Sequence, residues 1–345
     1  MIQLFLLVVI SAVTFLVTFI VRNIASCLDI VDKPSARKVH KSPVPLLGGL
    51  CIYIGFITGL MLNPNPTGNL KLILMGASII FLMGLIDDIR KLSAKLRLVV
   101  QMAASLIVIF GGIRLTFLPR GFLGNFTEMF ITLVWLVGVT NAFNYLDGLD
   151  GLACGSAIIN TFYFWLLFYV TRQINLSVIP LILLSACLGF LPHNFRRAKI
   201  FLGDAGSMFL GFMLAGISVA GNWAQDSVIK IAIPILILGV PIFDMTFTTI
   251  VRIKEGKIKN LVEWLKYAGK DHFHHYLVYL GFPPLGAVLF IWTCTFFLGI
   301  SAIMLGNDRA WEGILTLFQA CVIFAIIGIL IVVGRKRRSG WSIEE

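Results

Sequence analysis

The sequence predicts an all-α protein: a polytopic integral membrane helix bundle of about 11 transmembrane helices, N-terminus outside and C-terminus cytoplasmic. Three observations predict it. The 345 residues are 58% hydrophobic and 13% charged, against roughly a quarter charged in soluble domains, and mean hydropathy is +0.94. Apolar runs able to cross ~30 Å of hydrocarbon recur along the whole chain. Lysine and arginine fall almost entirely between alternate runs. Backbone polar groups in lipid need internal partners, and these runs are too long and continuous for barrel strands, so helices are expected.

The spans are expected at 2–22, 47–63, 70–87, 97–113, 126–142, 152–171, 177–193, 206–221, 228–250, 284–305 and 311–334. With eleven spans the termini lie on opposite sides. One side then carries 22 of the 28 lysines and arginines, including Arg22, Arg37, Lys38, Arg90, Arg97, Arg196, Arg252, Lys270 and the basic tail 335–345. The positive-inside rule makes that side cytoplasmic. The net charge of +11 is therefore topological, and nucleic acid is not expected as a partner. Six scattered cysteines form no C-x-x-C pair, which argues against a redox or zinc site and against an extracellular disulfide. Ile24-Ala-Ser-Cys27 has the look of a lipoprotein cleavage box, but Arg22 separates it from the apolar run, so the first span is expected to stay in place.

One transmembrane domain, 1–345, is expected, with the unusual residues gathered in cytoplasmic loops at about 23–46, 87–96, 143–151, 194–205 and 251–283. The first mixes Arg37, Lys38, His40 and Lys41 with Pro43, Pro45 and Gly48-Gly49, either an anchor of the first span or an anion-binding edge. In the second, Asp87-Asp88 stand at the end of an apolar span. Helix neighbours diverge by about 100°, so separate roles are expected, one as a base and one as an orienting or cation-holding group. In the third, Asn141, Asn144, Asp147 and Asp150 recur every third residue, as if along one side of a helical turn. Intramembrane carboxylates are costly enough to be functional candidates, and an all-oxygen donor set suits Mg²⁺ or Mn²⁺.

In the fourth loop Asp204 stands where a helix N-cap would, followed by Gly206 and Ser207, so it is either a cap or a metal ligand. The fifth carries Lys270-Asp271-His272-Phe273-His274-His275; with no H-E-x-x-H arrangement and no nearby cysteine, zinc is not expected. Asp244 is expected near the cytoplasmic face as a partner for Arg252. No Walker A or dinucleotide fingerprint is present, so phosphates must be held by the bundle's own loops.

Taken in order, Asp87-Asp88 with Arg97-Leu98 and Gln101, the Asn141–Leu152 segment, Phe201-x-Gly-Asp204-x-Gly-Ser207 and His272-x-His274-His275 resemble the polyprenyl-phosphate N-acetylhexosamine-1-phosphate transferases, from about Asp32 to Gly281. The resemblance implies transfer of a sugar 1-phosphate from a UDP-sugar to undecaprenyl phosphate, releasing UMP, with Mg²⁺ or Mn²⁺. It implies Asp87 as base with Asp88 beside it, and Asp204, helped by Asn144, at the metal. It assigns Asp147, Asp150, Phe201 and Asn194 to the uridine side, and Arg97, His272, His274 and His275 to phosphate and sugar.

His-Phe-His-His and Pro45-Leu-Leu-Gly-Gly49 depart from the three consecutive histidines and the Pro-Thr-Met-Gly-Gly of the muramoyl-pentapeptide branch. UDP-N-acetylglucosamine is therefore the expected donor, in the step that begins an O-antigen, common-antigen or teichoic-acid polymer, at a bacterial plasma membrane with the site facing the cytoplasm. The Lys270-Asp271 pair stands where an arginine is common. A transporter is the rival from another class, but it predicts ionisable groups near the midplane and inverted repeats, and neither is apparent. The oligomeric state is open.

Overall fold

The structure is a computed structural model describing residues 2–341 apart from 34–41, 64–69, 120, 261–262, 264–266, 268, 270 and 308. Arg37, Lys38, His40, Lys41, Lys270 and the end of the basic tail therefore lie outside the described residues. The chain is almost wholly helical: α1 (Ile2–Cys27), α2 (Gly48–Leu62), α3 (Leu70–Arg90), α4 (Ala94–Phe110), α5 (Phe122–Leu146), α6 (Leu152–Val170), α7 (Ile174–Asn194), α8 (Gly203–Ala220), α9 (Ser227–Ile237), α10 (Gly239–Lys254), α11 (Phe273–Tyr279), α12 (Pro284–Met304) and α13 (Ala310–Trp341). Each apolar run read from the sequence falls on a helix, except 228–250, which falls on the pair α9 and α10. Among the described residues eight helices are long and apolar enough to cross a membrane, or nine if the bent pair is one span.

That pair bends by 79°. Pro241 has no N–H to give the carbonyl of Ile237, and its ring collides with that carbonyl, so the helix stops at Ile237 and restarts in a new direction. The bend aims the second arm, α10, at the histidine-bearing segment.

Helix α8 is the central post, with its residues Ala205 to Val219 all buried. It packs on α3 and α5, and small residues let the backbones meet. A Cβ built on Gly84 would stand 2.5 Å from Ala205 Cα, and one on Gly49 would stand 2.6 Å from Gly206 Cα. The Gly48-Gly49 pair is thus a packing device. Its amides also donate to Phe201 O at 2.9 Å and Leu202 O at 2.8 Å, while Phe201 N donates to Pro45 O at 2.8 Å. A two-stranded antiparallel ribbon, β1 (Val31–Asp32) with β2 (Val44–Pro45), leads into this clamp. On the far side, buried Glu128 accepts from Phe117 N at 2.7 Å and Leu118 N at 2.9 Å, tying the chain that follows α4 to α5.

Candidate active site

The pocket forms where the ends of α3, α5 and α7 meet the start of α8. Asp87 and Asp88 lie in the last turn of α3, not in a loop, and they point to different partners. Asp87, buried, accepts from Arg97 Nη1 at 3.1 Å and from the amide of Leu92. Arg97 reaches on to Asp204 Oδ2 at 3.6 Å, so one guanidinium bridges two carboxylates. Asp88 accepts from Asp204 N at 2.7 Å and Ala205 N at 3.1 Å. Those are two of the four unsatisfied amides that open any helix.

The expectation that Asp204 stands in the cap position is corrected here. Helix α8 begins at Gly203, Asp204 lies inside its first turn, and the cap comes from Asp88 of another helix. The physical reason is proximity: Gly84 and Gly203 let α3 and α8 close until an aspartate of one reaches the amides of the other. Gly203 has φ +74, and a Cβ there would stand 2.6 Å from Asp88 Oδ2. Freed from capping, Asp204 presents its carboxylate to the pocket, where Asn144 Nδ2 donates to it at 2.6 Å and to Ser207 Oγ at 2.9 Å.

The every-third-residue series does not run on as one helical face. Asn141 and Asn144 share α5, but that helix ends at Leu146 and the chain turns through residues 147–151, with Gly151 at φ +76. Asn141 pairs with Gln101, its Nδ2 donating to Gln101 Oε1 at 2.7 Å, which ties α5 to α4. Asp150 accepts from Ala198 N at 2.8 Å. Asn194 commits both ends of its amide to backbone, accepting from Gly151 N at 3.1 Å and donating to Ile200 O at 3.0 Å. These two residues staple the 147–151 turn to the 195–202 segment. The backbone of Phe201 is held by that same segment's contact with residues 45–48.

Asp147 is different. Among the described residues its carboxylate accepts no hydrogen bond, and burial, reinforced by the charges of Asp204, Asp88 and Asp150, pushes it up to about 8. Crowding of Asp88, Asp147, Asp150 and Asp204 favours a bound proton or a cation between them. Among the described residues, no three His, Cys, Asp or Glu side chains form a ready-made metal cage. Mg²⁺ takes one or two protein carboxylates and completes its shell with water and substrate phosphates. Asp204 and Asn144 would hold such an ion, and it would neutralise charge on a diphosphate.

The histidine segment packs on the 147–151 turn. His274 is buried against Gly148, where a Cβ would strike its imidazole. Neither of its ring nitrogens has a partner. Burial and then the neighbouring His275 push its ring down to about 3, so it is a neutral imidazole facing the turn. His274 and His275 have ring centroids 4.2 Å apart. His272 is held by Asp244, with Nδ1 at 3.2 Å from Asp244 Oδ2, while Arg252 makes a bidentate pair with Asp271 at 2.6 and 2.9 Å. Burial would raise Asp271, but Arg252 outweighs it and holds the carboxyl below its ordinary value. The expected Asp244–Arg252 pairing is thus replaced by two crossed pairings. Asp271 and Tyr145, whose ring stacks on His272 at 5.0 Å, are the residues that sequence reasoning left without a role; their positions inside two recognised motifs were the available signal.

The architecture and this pocket agree with what the chain resembles among known proteins. Residues 70–222 match the glycosyl transferase family 4. The chain is 36% identical over 337 residues to a probable undecaprenyl-phosphate N-acetylglucosaminyl 1-phosphate transferase of Bacillus subtilis (strain 168), covering 95% of this chain and 92% of that protein. It is 30% identical over 341 residues to a decaprenyl-phosphate N-acetylglucosaminephosphotransferase of Mycobacterium leprae (strain TN), covering 87% of this chain and 83% of that one. It is 28% identical over 292 residues to an undecaprenyl-phosphate alpha-N-acetylglucosaminyl 1-phosphate transferase of Escherichia coli (strain K12), covering 81% and 77%. The chain belongs to the family of these membrane-embedded polyprenyl-phosphate sugar-phosphate transferases.

Proposed function

We propose that the protein transfers N-acetylglucosamine 1-phosphate from UDP-N-acetylglucosamine to undecaprenyl phosphate and releases UMP, as the first lipid-linked step of a cell-surface glycopolymer, from the cytoplasmic face of a bacterial plasma membrane. The observation that carries it is the convergence of Asp87, Arg97, Asp204 and Asn144 at one end of an apolar bundle. This is where a phosphate on a lipid stem can meet a water-soluble diphosphate.

The chemistry needs alignment and charge neutralisation more than covalent machinery. An oxygen of the lipid phosphate attacks the sugar-bearing phosphorus, a new P–O bond forms, and the bridging P–O bond breaks with its electron pair leaving on UMP. Asp87, oriented by Arg97 and the Leu92 amide, would take the proton of a monoprotonated lipid phosphate. Asp204 and Asn144 would hold Mg²⁺, whose charge offsets that of the diphosphate and the leaving UMP. The turn 147–151, stapled to 195–202, would form the wall for the nucleoside, with Asp147, Asp150 and Phe201 on it. His274 and His275 would face the sugar and its phosphate.

The test incubates purified protein with labelled UDP-N-acetylglucosamine, undecaprenyl phosphate and Mg²⁺. Lipid-linked sugar and UMP in equal amounts are expected, with Asp204→Asn inactive and Asp87→Asn inactive but still binding UDP-sugar. Absence of product, or full activity of Asp204→Asn, sinks the proposal. UDP-N-acetylgalactosamine and UDP-MurNAc-pentapeptide run in parallel decide the donor.

A further inference from the structure

Three consecutive residues of the histidine segment are held one by one by a single face of α10. Asp244, Thr248 and Arg252 stand at i, i+4 and i+8, one above another on the helix. Arg252 grips Asp271, Asp244 Oδ1 accepts from Phe273 N at 2.6 Å, and Thr248 Oγ1 donates to Asp271 O at 3.1 Å. His272, between them, is held from both sides: Nδ1 lies 3.2 Å from Asp244 Oδ2 and Nε2 lies 3.2 Å from Arg252 Nη2. Asp244, Thr248 and Arg252 are all buried.

Which nitrogen carries the proton follows from the partners. A guanidinium has only donors. Nε2 of His272 must therefore accept, its lone pair facing Arg252, and the ring proton sits on Nδ1, donated to Asp244. We propose that Asp244 and Arg252 are positioning residues that lock His272 as a neutral Nδ1–H imidazole, withdraw both its nitrogens from substrate, and use its ring to set Tyr145 and His274. His272 stacks on Tyr145 at 5.0 Å and lies nearly parallel to His274, 7° between planes at 6.0 Å. The charged and titratable groups facing it are Asp244 and Arg252 from α10, Asp271 and His274 from its own segment, and Tyr145 from α5. The motif thus divides: His272 is scaffold, while His274 keeps both ring nitrogens unpartnered. A ring so fixed behaves like a histidine whose far nitrogen is held by a carboxylate in a metal site, except that here an arginine takes the place of the metal.

The inference rests on the transferase reading only for its kinetic arm. The independent arm is ¹⁵N NMR of histidine-labelled protein in nanodiscs, with His272 assigned by its loss in His272→Gln. A pyrrole-type Nδ1 and a pyridine-type Nε2 are expected. A protonated Nε2 overturns the proposal, whether or not the protein is active. In Asp244→Asn the carboxamide can still accept from Phe273 N, but it turns a donor toward Nδ1, forcing the ring proton to Nε2 and against Arg252. A kcat lowered roughly 10- to 100-fold is expected from misorientation of the segment, with UMP affinity unchanged because Asp147, Asp150 and Asn194 are untouched. Wild-type kcat in folded Asp244→Asn overturns it. If that variant fails to fold, the wild-type spectrum decides alone. If the wild type makes no lipid-linked product but shows the expected tautomer, the transferase reading fails and the lock stands.

Discussion

Replacing Gly84 by alanine asks whether the seating of α8 on α3 sets the rate, since it removes no chemical group from the pocket. The new Cβ would lie 2.5 Å from Ala205 Cα, 2.7 Å from Ala205 N and 2.9 Å from Asp204 C. These are backbone atoms and cannot rotate aside. Ordinary contact begins near 3.4 Å, so the start of α8 must retreat by roughly 1 Å to restore normal packing. That retreat stretches the 2.7 and 3.1 Å bonds from Asp204 N and Ala205 N to Asp88. It also draws Asp204 away from Arg97 and Asn144. A displacement of this size costs about 10²-fold in rate, which is ~2.7 kcal/mol on the barrier. The assay is turnover of labelled UDP-N-acetylglucosamine by folded Gly84→Ala, beside Gly306→Ala, whose added methyl meets nothing within 4 Å. A kcat in Gly84→Ala equal to that of the control refutes the reasoning.

Three more outcomes are expected. Asn194→Ala leaves Gly151 N and Ile200 O unpaired under the turn, at roughly 1–3 kcal/mol each; thermal stability should fall and KM for the UDP-sugar should rise, and no change in either argues against the staple. His274 is pushed from its ordinary 6.5 down to about 3, so the unfolded chain takes up a proton before the folded one does. Its stability is complete above pH 6.5 and is lost as pH falls, on the order of 2 kcal/mol by pH 5; melting curves that drop equally steeply in wild type and His274→Gln contradict this. Since no three carboxylate or imidazole ligands converge among the described residues, Mg²⁺ alone should bind weakly and UDP-sugar should tighten it, with chelation stopping turnover. Calorimetry showing tight Mg²⁺ binding without nucleotide goes against that arrangement.

The sequence was most legible where chemistry is local. Apolar length gave the helices, and the motif spacing singled out Asp87, Asp88, Asn144, Asp147, Asp150, Asp204 and His274, all of which lie around the one pocket. It was least legible for partners across helices. Asp88 looks like its neighbour in sequence, yet it caps α8. Asn194 reads as a ligand group, yet both ends of its amide hold backbone. The Asn–Asp series reads as one helical face, but the chain leaves the helix at Asp147.

What the sequence alone determined is the class of molecule: burial of apolar surface in lipid and the satisfaction of backbone hydrogen bonds are properties of composition and period, and they leave a helix bundle as the expected architecture. What only the tertiary structure decided is the division of labour among residues of one type. Which aspartate caps, which faces the pocket and which histidine keeps a free nitrogen depend on where backbones touch. Those touching points, at Gly49, Gly84 and Gly148, are set by the absence of a side chain, and the sequence does not say what will come to lie against it.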